Sequence, residues 1–411
     1  MKVKILEADF VLTCNNDFEI IQKGAVAFEE RIIDVGESEQ LKIKYPNATH
    51  IHTPPHSVIM PGLINAHIHL EFSANATMLH YGDFIPWLQS VIKHREYLAQ
   101  MATTALISEK LQTMLRSGTT ALGAISSFGA DLEACAQTPQ RVVFFNEVLG
   151  SNPGTVDAMH ADFLGRYHQS KDEASSTFFP AIAIHSPYST HPILAKKAIE
   201  LAFSDNVNLS THFMESQAER DWLDAGKGDF TQFLTAFNPY AKPMCSASEF
   251  LTLFNSLPTL FTHGVHASEE EYTTIAAQQG TLTHCPMSNR LLGVGALDLE
   301  AIEQHHINLA LGTDGLSSNI SLSLWDEMRC ALMMHTNSPL ESLSKTLLKA
   351  VTCNASKALN LPTGKLEKGL LADIIVATLP QEVESLEQLP AQLILHTQHT
   401  HFTFINGELV C

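Results

Sequence analysis

From Val58 onward, short apolar segments alternate with longer segments in which apolar residues recur at helical spacing, as in 104–117 and 192–203. Near the end of this region, Trp325, Met328 and Leu332 stand at positions i, i+3 and i+7, which places them on one face of an amphipathic helix. Eight strands that alternate with helices predict a (β/α)8 barrel, a TIM-type α/β fold. The predicted strands are Val58–His69, Thr119–Ile125, Val142–Val148, Ala181–His185, Asn208–His212, Thr259–His263, Thr281–His284 and Leu309–Asp314.

Both ends of the chain lack this alternation and contain short strand-like segments separated by turn residues. Pro54-Pro55-His56 marks a joint before the barrel, and the barrel pattern stops after about Leu361. We therefore expect residues 1–57 and 361–411 to form the two parts of one small β-sandwich beside a barrel at 58–360. The strands predicted in these two parts are Lys2–Val11, Gly24–Phe28, Arg31–Val35, Ala372–Ala377 and His401–Gly407.

The composition narrows the class of protein. The 411 residues are 45% hydrophobic and 17% charged, which favours a large folded core over disorder. A net charge of −19 without a basic block disfavours nucleic acid as a partner. The seven cysteines are scattered and contain no Cys-x-x-Cys, which argues against a disulfide framework and a cytidine-deaminase type of zinc site. The sequence has no apolar run of membrane-span length and no signal peptide, so we expect a cytoplasmic location without membrane contact.

Candidate metal ligands stand at the ends of three predicted strands. His67 and His69 are two residues apart at the end of the first strand, so their imidazoles point to the same side. By themselves they are as readily interpreted as core histidines. His212 and Asp314 end two further strands, and the active site of such a barrel lies at the carboxyl ends of its strands. Three imidazoles and one carboxylate suit Zn²⁺ or Fe²⁺ with a place left for water.

Other polar residues at strand ends are candidates for proton transfer or substrate contact. Glu215 follows His212 by three positions and can move protons beside a metal-bound water, or it can simply stabilise the first turn of the next helix. Asp314 can also orient and deprotonate that water. We interpret His263 as a polariser or acid near the developing oxyanion and His185 as a hydrogen-bonding partner of the substrate. His284 is either a pocket wall or a packing residue.

The motifs around these residues resemble the amidohydrolase superfamily, in the branch of nucleoside and aminopurine deaminases and chlorohydrolase-like enzymes. The resemblance covers nearly the whole chain. The matching stretches are Met60–His69, His185–Tyr188, His212–Glu215, His263–His266, His284–Asn289, Leu311–Gly315 and, in the tail, Gly364–Val376.

The resemblance implies the role of each matching residue. One metal ion, Zn²⁺ with Fe²⁺ as the alternative, would be bound at the positions that match the family's ligands. A residue matching Glu215 would shuttle protons, and those matching His185 and His263 would contact the substrate or intermediate. Other branches bind a second metal through a bridging lysine, and no lysine occupies that place in this sequence. The matching ligands are His67, His69, His212 and Asp314.

Within that branch, the sequence is most similar to the enzymes that deaminate 6-aminodeoxyfutalosine in menaquinone synthesis. Three features carry this likeness: Glu71-Phe72-Ser73, the aromatic-rich segment Trp222–Phe250, and Ser288–Leu292. We expect Glu71, Ser288 and Asn289 to contact substrate. Glu147 is a further candidate, although a strand-end charge is the alternative. The segment Trp222–Phe250 is either a lid over the pocket or a packed helical insertion.

Other substrates stay open because pocket shape decides among them. Adenosine, methylthioadenosine, S-adenosylhomocysteine, a pterin or a chlorinated triazine would suit the same site residues. A protein of another class, a non-catalytic barrel kept for assembly, would be indicated by loss of a ligand or of the glutamate, and all of them are present. The expected partner is a small-molecule nucleoside, and a homodimer is left open.

Overall fold

A computed structural model of the chain describes residues 2–75, 77–255 and 257–411, apart from the side chain of Phe237. Its N-terminal part is built from short strands, several of them fully buried, and one short helix, α1, Ser38–Lys44. The predicted strand Lys2–Val11 is two strands, so that prediction is wrong in its bounds. The strands are β1 Lys4–Glu7, β2 Phe10–Leu12, β3 Ile20–Gln22, β4 Gly24–Phe28, β5 Ile32–Glu37, β6 Thr49–His52 and β7 Ser57–Pro61.

The prediction of one strand over 58–69 is also wrong, because the chain changes sheets at Gly62. Strand β7 ends at Pro61, and the next strand, β8, begins at Leu63. The Gly62 amide donates to the carbonyl of Asp373 at 2.9 Å, whereas the Leu63 amide donates to the carbonyl of Gly118 at 2.9 Å. A Cβ at Gly62 would lie 2.0 Å from Thr120 Oγ1, so the crossing point requires glycine.

Eight parallel strands, β8 to β15, follow one another around a barrel in chain order. Hydrogen bonds link each strand to the next, and the amide of Asp314 reaches the carbonyl of His67 at 3.1 Å between the last and first strands. The strands are almost wholly buried, as expected of a parallel sheet covered by helices. The predicted barrel is confirmed. Its strands are β8 Leu63–Ile68, β9 Thr119–Ser126, β10 Arg141–Val148, β11 Phe178–Ile184, β12 Leu209–Phe213, β13 Thr259–His263, β14 Thr281–His284 and β15 Asn308–Leu311.

Helices cover the barrel, and the helix predicted from Trp325, Met328 and Leu332 buries all three side chains. No helix in the described part of the chain has the length and apolar character needed to span a membrane. Short 3₁₀ helices occur at Leu70–Phe72 and Pro153–Thr155. The α-helices are α2 Phe84–Met101, α3 Thr104–Arg116, α4 Leu132–Gln137, α5 Val156–Asp172, α6 Pro192–Asp205, α7 Gln217–Ala225, α8 Asp229–Phe237, α9 Ala247–Thr252, α10 Glu269–Ala277, α11 Pro286–Leu291, α12 Leu299–Gln304, α13 Leu324–Met334, α14 Leu340–Ala350, α15 Cys353–Ala358 and α16 Leu389–His396.

The two chain ends pack together, as predicted. The C-terminal strands are β16 Ile374–Thr378, β17 Phe402–Ile405 and β18 Glu408–Leu409. They join β7, β2 and β3 in a six-stranded sheet, which faces a four-stranded sheet of order β5-β4-β1-β6. Phe28 from one sheet and Phe404 from the other meet edge to face, with ring centroids 5.5 Å apart, inside a shared apolar core. The division into ranges 1–57, 58–360 and 361–411 stays a prediction.

A buried ion pair joins the barrel to this β-sandwich. Arg141 opens strand β10, and its guanidinium donates to both carboxylate oxygens of Asp373, at 2.7 and 3.2 Å. The same guanidinium donates to the Ser176 carbonyl at 3.1 Å and to the Asn406 side chain. Both charged side chains are almost fully buried, 2% and 0% exposed. The hydrogen bonds between the guanidinium and the carboxylate therefore replace the hydrogen bonds to water that each group loses on burial.

Replacing Asp373 by alanine would leave a buried guanidinium without its carboxylate. We expect Asp373→Ala to lower the free energy of unfolding by about 3–5 kcal/mol, the usual cost of removing one partner of a buried pair. Asp157→Ala, which removes the exposed partner of Lys197, is the matched control and should have no measurable effect. Urea unfolding followed by circular dichroism measures both variants, and equal losses would contradict the prediction.

Candidate active site

The structure brings the four predicted metal ligands together at the carboxyl ends of the barrel strands. His67 lies in β8 with His69 just after it, His212 lies in β12, and Asp314 follows β15. His69 Nε2 is 3.2 Å from His212 Nε2. Asp314 Oδ1 is 3.8 Å from His67 Nε2 and 3.6 Å from His69 Nε2. Four potential ligand atoms from three parts of the chain thus surround one small volume.

Neighbouring groups turn the imidazoles so that bare nitrogens face that volume. His212 Nδ1 donates to the carbonyl of His185 at 2.9 Å, and a carbonyl can only accept, so the neutral ring carries no hydrogen on Nε2. Thr262 Oγ1 bonds His67 Nδ1 at 3.1 Å, while His67 Nε2 is buried without a hydrogen-bonding partner among the described residues. Lone pairs gathered in this way repel one another unless a cation lies among them. The residues present therefore fit a divalent metal ion.

The charges of these side chains agree with that fit. Burial, together with the neighbouring imidazoles, holds the pKa of His67 well below its usual value and lowers that of His212 to about 3. Burial also raises the pKa of Asp314, but the surrounding imidazoles, His69 first, outweigh burial and keep that pKa low. Ser288 and Ser318 donate to Asp314 Oδ2 at 2.8 and 2.9 Å. Three imidazole nitrogens and one carboxylate are a donor set typical of Zn²⁺.

Glu215 and His263 lie side by side next to this cluster. Glu215 Oε1 is 3.5 Å from His263 Nε2, and both side chains are buried. Burial, with Asp314 and Glu219 nearby, raises the pKa of Glu215 well above its usual value, which favours the protonated form of this carboxyl group. The Glu219 carboxylate accepts hydrogen bonds from the amides of Met214 and Glu215 at 3.1 and 2.9 Å. These bonds fix the backbone that presents Glu215.

His185 lies on another side of the same cluster, directly after β11. Its ring centroid is 5.1 Å from that of His212 and 6.0 Å from that of Tyr188. Burial lowers the pKa of His185 to about 4, so the ring is neutral near pH 7. Its Nδ1 bonds the hydroxyl of Ser189 at 2.6 Å. The neutral ring edge is thus positioned to exchange a hydrogen bond with a ligand.

The residues predicted to contact substrate are bonded to protein groups in this structure. The Glu71 carboxylate accepts hydrogen bonds from the amides of residues 127, 128 and 130, and so fixes the loop after β9. Ser288 donates to Asp314, and Asn289 bonds His263. Their contact with substrate stays a prediction. Glu147 is buried, accepts from the Ser127 hydroxyl at 2.5 Å, and lies 4.0 Å from His212 Nδ1.

Three residues that contribute to the site, Glu219, Ser318 and Thr262, were missed in the sequence. Ser216 and Glu219 match the Ser-x-x-Glu pattern of a helix start, and Ser216 caps α7. The Glu219 carboxylate, however, accepts hydrogen bonds from the amides of the two residues that precede Ser216. Ser318 follows Asp314 by four positions and could have been suspected as its partner. Thr262 carries no local signal, because its contact with His67 spans 195 positions.

The aromatic-rich segment Trp222–Phe250 is largely packed against the barrel. Phe230 is fully buried, and its ring lies 4.6 Å from Tyr188 and 6.0 Å from Phe84. Tyr240 is 90% exposed, and the side chain of Phe237 lies outside the description. Tyr188, which contacts His185, also lines a cavity of about 400 Å³. Trp222, Leu234, Tyr240 and Lys242 also line this cavity.

Comparisons with known proteins agree with this site. The model of the family described as "Amidohydrolase family" matches residues 58–410. The chain is 47% identical over 389 residues to an aminodeoxyfutalosine deaminase of a Nitratiruptor species, covering 95% of each chain. It is 35% identical over 414 residues to an adenosine deaminase of Helicobacter pylori, covering 99% of each.

A solved structure shows the same architecture over the full length. The crystal structure of Helicobacter pylori aminofutalosine deaminase in complex with methylthio-coformycin superposes with a TM-score of 0.94 at 34% identity. The match covers 99% of this chain and 100% of that one. As its motifs predicted, the chain belongs to the amidohydrolase family, whose members depend on a metal ion.

Proposed function

We propose that this chain is a metal-dependent deaminase that hydrolyses 6-aminodeoxyfutalosine to its 6-oxo product and ammonia, a step of menaquinone biosynthesis. The observation that carries the proposal is the pairing of Glu215 with His263, whose Oε1 and Nε2 atoms are 3.5 Å apart beside the four-ligand cluster. Deamination of a purine needs an acid such as Glu215, because the ring nitrogen must gain a proton as water adds. The name of the relative that is 47% identical supports the substrate.

One metal ion would be held by His67, His69, His212 and Asp314. We propose Zn²⁺, with Fe²⁺ as the alternative, since neutral imidazoles and one carboxylate suit both. When bound, the ion lowers the pKa of water and so supplies the nucleophile at neutral pH.

The side chains of the site divide the proton transfers among them. Asp314 takes a proton from the attacking water, and Glu215 gives its proton to the purine ring nitrogen beside the reacting carbon. His263 contacts the attacking water, and His185 contacts the substrate. Proton return to the amino group lets ammonia leave, so one water is consumed for each ammonia released. Ser288 holds the carboxylate of Asp314 by a hydrogen bond, and Asn289 holds the ring of His263. Glu71 holds the loop after β9.

The cavity next to Tyr188 favours a substrate longer than adenosine. 6-Aminodeoxyfutalosine carries a carboxyphenyl group at the far end of its ribose. Tyr188, Trp222 and Leu234 provide an apolar and aromatic wall, and Lys242 adds a cation. An aromatic carboxylate matches this combination of an apolar wall and one positive charge. Binding of this remote group can be used to stabilise the transition state at the purine.

Adenosine is the second candidate substrate, because a relative at 35% identity is named an adenosine deaminase. It shares the reacting purine but has no group for the cavity. Comparing kcat/KM for 6-aminodeoxyfutalosine, adenosine and methylthioadenosine under one set of conditions tests the choice. Equal efficiency with a small nucleoside would contradict the proposed substrate but would leave the deaminase reaction intact.

We expect one metal ion per chain, because the four ligands surround one volume and the sequence lacks a bridging lysine. Elemental analysis of protein purified without chelators measures the stoichiometry. His67→Ala should lose the ion, whereas His305→Ala, which changes a histidine bonded to Glu269 away from the site, should keep it. Two tightly bound ions in active enzyme would refute the single site.

Glu215→Gln removes the transferable proton and keeps the size of the side chain. We expect kcat to fall by about 10²–10⁴, the usual contribution of a general acid or base. Metal content and thermal midpoint should stay close to those of the unaltered protein, because Glu215 is not a metal ligand. Ammonia release and elemental analysis check both points, and unchanged turnover with intact metal would disprove the assigned role.

Lys242→Met removes the cation of the cavity wall and keeps its aliphatic length. We expect KM for 6-aminodeoxyfutalosine to rise about tenfold, which corresponds to about 1.4 kcal/mol of binding. The constants for adenosine should not change, since adenosine has no carboxylate. Lys227→Met is the matched control on the same segment, outside the cavity wall. An equal change for both substrates would show that Lys242 does not bind the remote carboxylate.

A further inference from the structure

A chain of four hydrogen-bonded side chains leads from the active site to a half-buried histidine. His263 Nδ1 bonds Asn289 Oδ1 at 3.0 Å, and Asn289 Nδ2 bonds His284 Nδ1 at 3.3 Å. His284 Nε2 then bonds Nε2 of His335, the residue that ends α13, at 3.0 Å. His263, Asn289 and His284 are at most 1% exposed. No water therefore competes for these bonds along the buried part of the chain.

The bonds have a direction, because each neutral ring carries one hydrogen. Burial holds the pKa of His284 well below its usual value and lowers the pKa of His263, which favours the neutral form of both rings. The amide hydrogen of Asn289 points to His284 Nδ1, so the hydrogen of His284 is on Nε2 and is donated to His335. The amide oxygen of Asn289 accepts the Nδ1 hydrogen of His263. His263 Nε2 is then a bare lone pair.

The hydrogen bonds of this chain can also all run in the opposite direction. If His335 donated to His284, the His284 hydrogen would move to Nδ1, the Asn289 amide would turn over, and His263 would carry its hydrogen on Nε2. The hydrogen on the outermost ring is thus linked to the hydrogen on the ring that faces the reacting group. The structure has the Asn289 amide in the first orientation, with its oxygen toward His263 and its nitrogen toward His284.

We propose that His335 is a positioning residue that, through His284 and Asn289, keeps Nε2 of His263 free of hydrogen. This inference rests on the proposed function in one respect: the bare Nε2, 3.5 Å from Glu215 Oε1, would accept a hydrogen bond from the attacking water. His263 Nε2 is buried and has no bonding partner among the described residues, so that lone pair is available. The chain thus gives His284 a defined task, which the sequence left open.

The test reads the position of the hydrogen directly. Holoenzyme labelled with ¹⁵N-histidine gives two-bond ¹H–¹⁵N spectra that distinguish an Nδ1–H ring from an Nε2–H ring, and His263→Gln identifies the signals of His263 by their loss. We expect Nδ1–H for His263 in the unaltered protein. His335→Gln, whose amide oxygen can still accept, should keep it. The lysine in His335→Lys can only donate hydrogen bonds, so Nε2 of His284 must accept. The hydrogen of His263 should then move to Nε2. We expect kcat to fall about tenfold and KM to change little.

Control variants separate this effect from a general loss of structure. His305→Lys places the same side chain at a histidine outside the chain of bonds and should change neither the spectrum of His263 nor kcat. In the double variant Asn289→Asp, His335→Lys, the carboxylate at position 289 can accept from the rings of both His263 and His284. It should therefore restore Nδ1–H on His263. This double variant also provides the test if His335→Lys alone is unstable. Nε2–H on His263 in the unaltered protein, or Nδ1–H in folded His335→Lys, would overturn the proposal. The spectra need no substrate, so their outcome stands even if no nucleoside is deaminated.

Discussion

Closure of the barrel between its first and last strands is the constraint on which the site depends. The amide of Asp314 donates to the carbonyl of His67 at 3.1 Å, and the side chain of Asn65 bonds both the amide and the hydroxyl of Thr313. A Cβ at Gly312 would lie 2.7 Å from the His67 carbonyl, so the strands can approach this closely only with glycine there. These contacts place the carboxylate of Asp314 beside the two histidines of the first strand.

The site that results is costly to build, and the surrounding residues account for its stability. Met214, His263 and Asp314 have positive φ values of 50°, 74° and 56°, which usually cost about 1–3 kcal/mol each for residues other than glycine. Buried hydrogen bonds hold each of them: Glu219 holds the turn at Met214, Asn289 holds His263, and the serines around Asp314 hold its carboxylate. The strain positions side chains in directions that regular strands would not allow.

The residues around the cavity differ in position from those of the predicted metal site, which would allow one family to act on different substrates. The four predicted metal ligands, Glu215 and His263 lie at or just after strand ends. The cavity next to Tyr188 is lined mostly by the segment between β12 and β13, with further residues that follow β10 and β11. That segment is held to the barrel by aromatic contacts such as that of Phe230 with Tyr188. Under the proposed function, the strand ends would determine the reaction and the residues around the cavity the length of the substrate, in agreement with the general behaviour of such barrels.

The sequence by itself predicted the elements and the residues that could bind a metal ion. Buried strands, the helix of Trp325 and Met328, and the histidine pair at 67 and 69 follow from local periodicity, which is a property of neighbouring residues. Only the tertiary structure decided where the chain changes sheets, because Gly62 switches partners through contacts with Thr120 and Asp373, which are distant in sequence. It alone also showed that Glu71 is bonded to the loop after β9 and that His284 connects His263 to His335. Such pairings depend on strand register and barrel closure, and no local pattern encodes which distant side chain will complete a hydrogen bond.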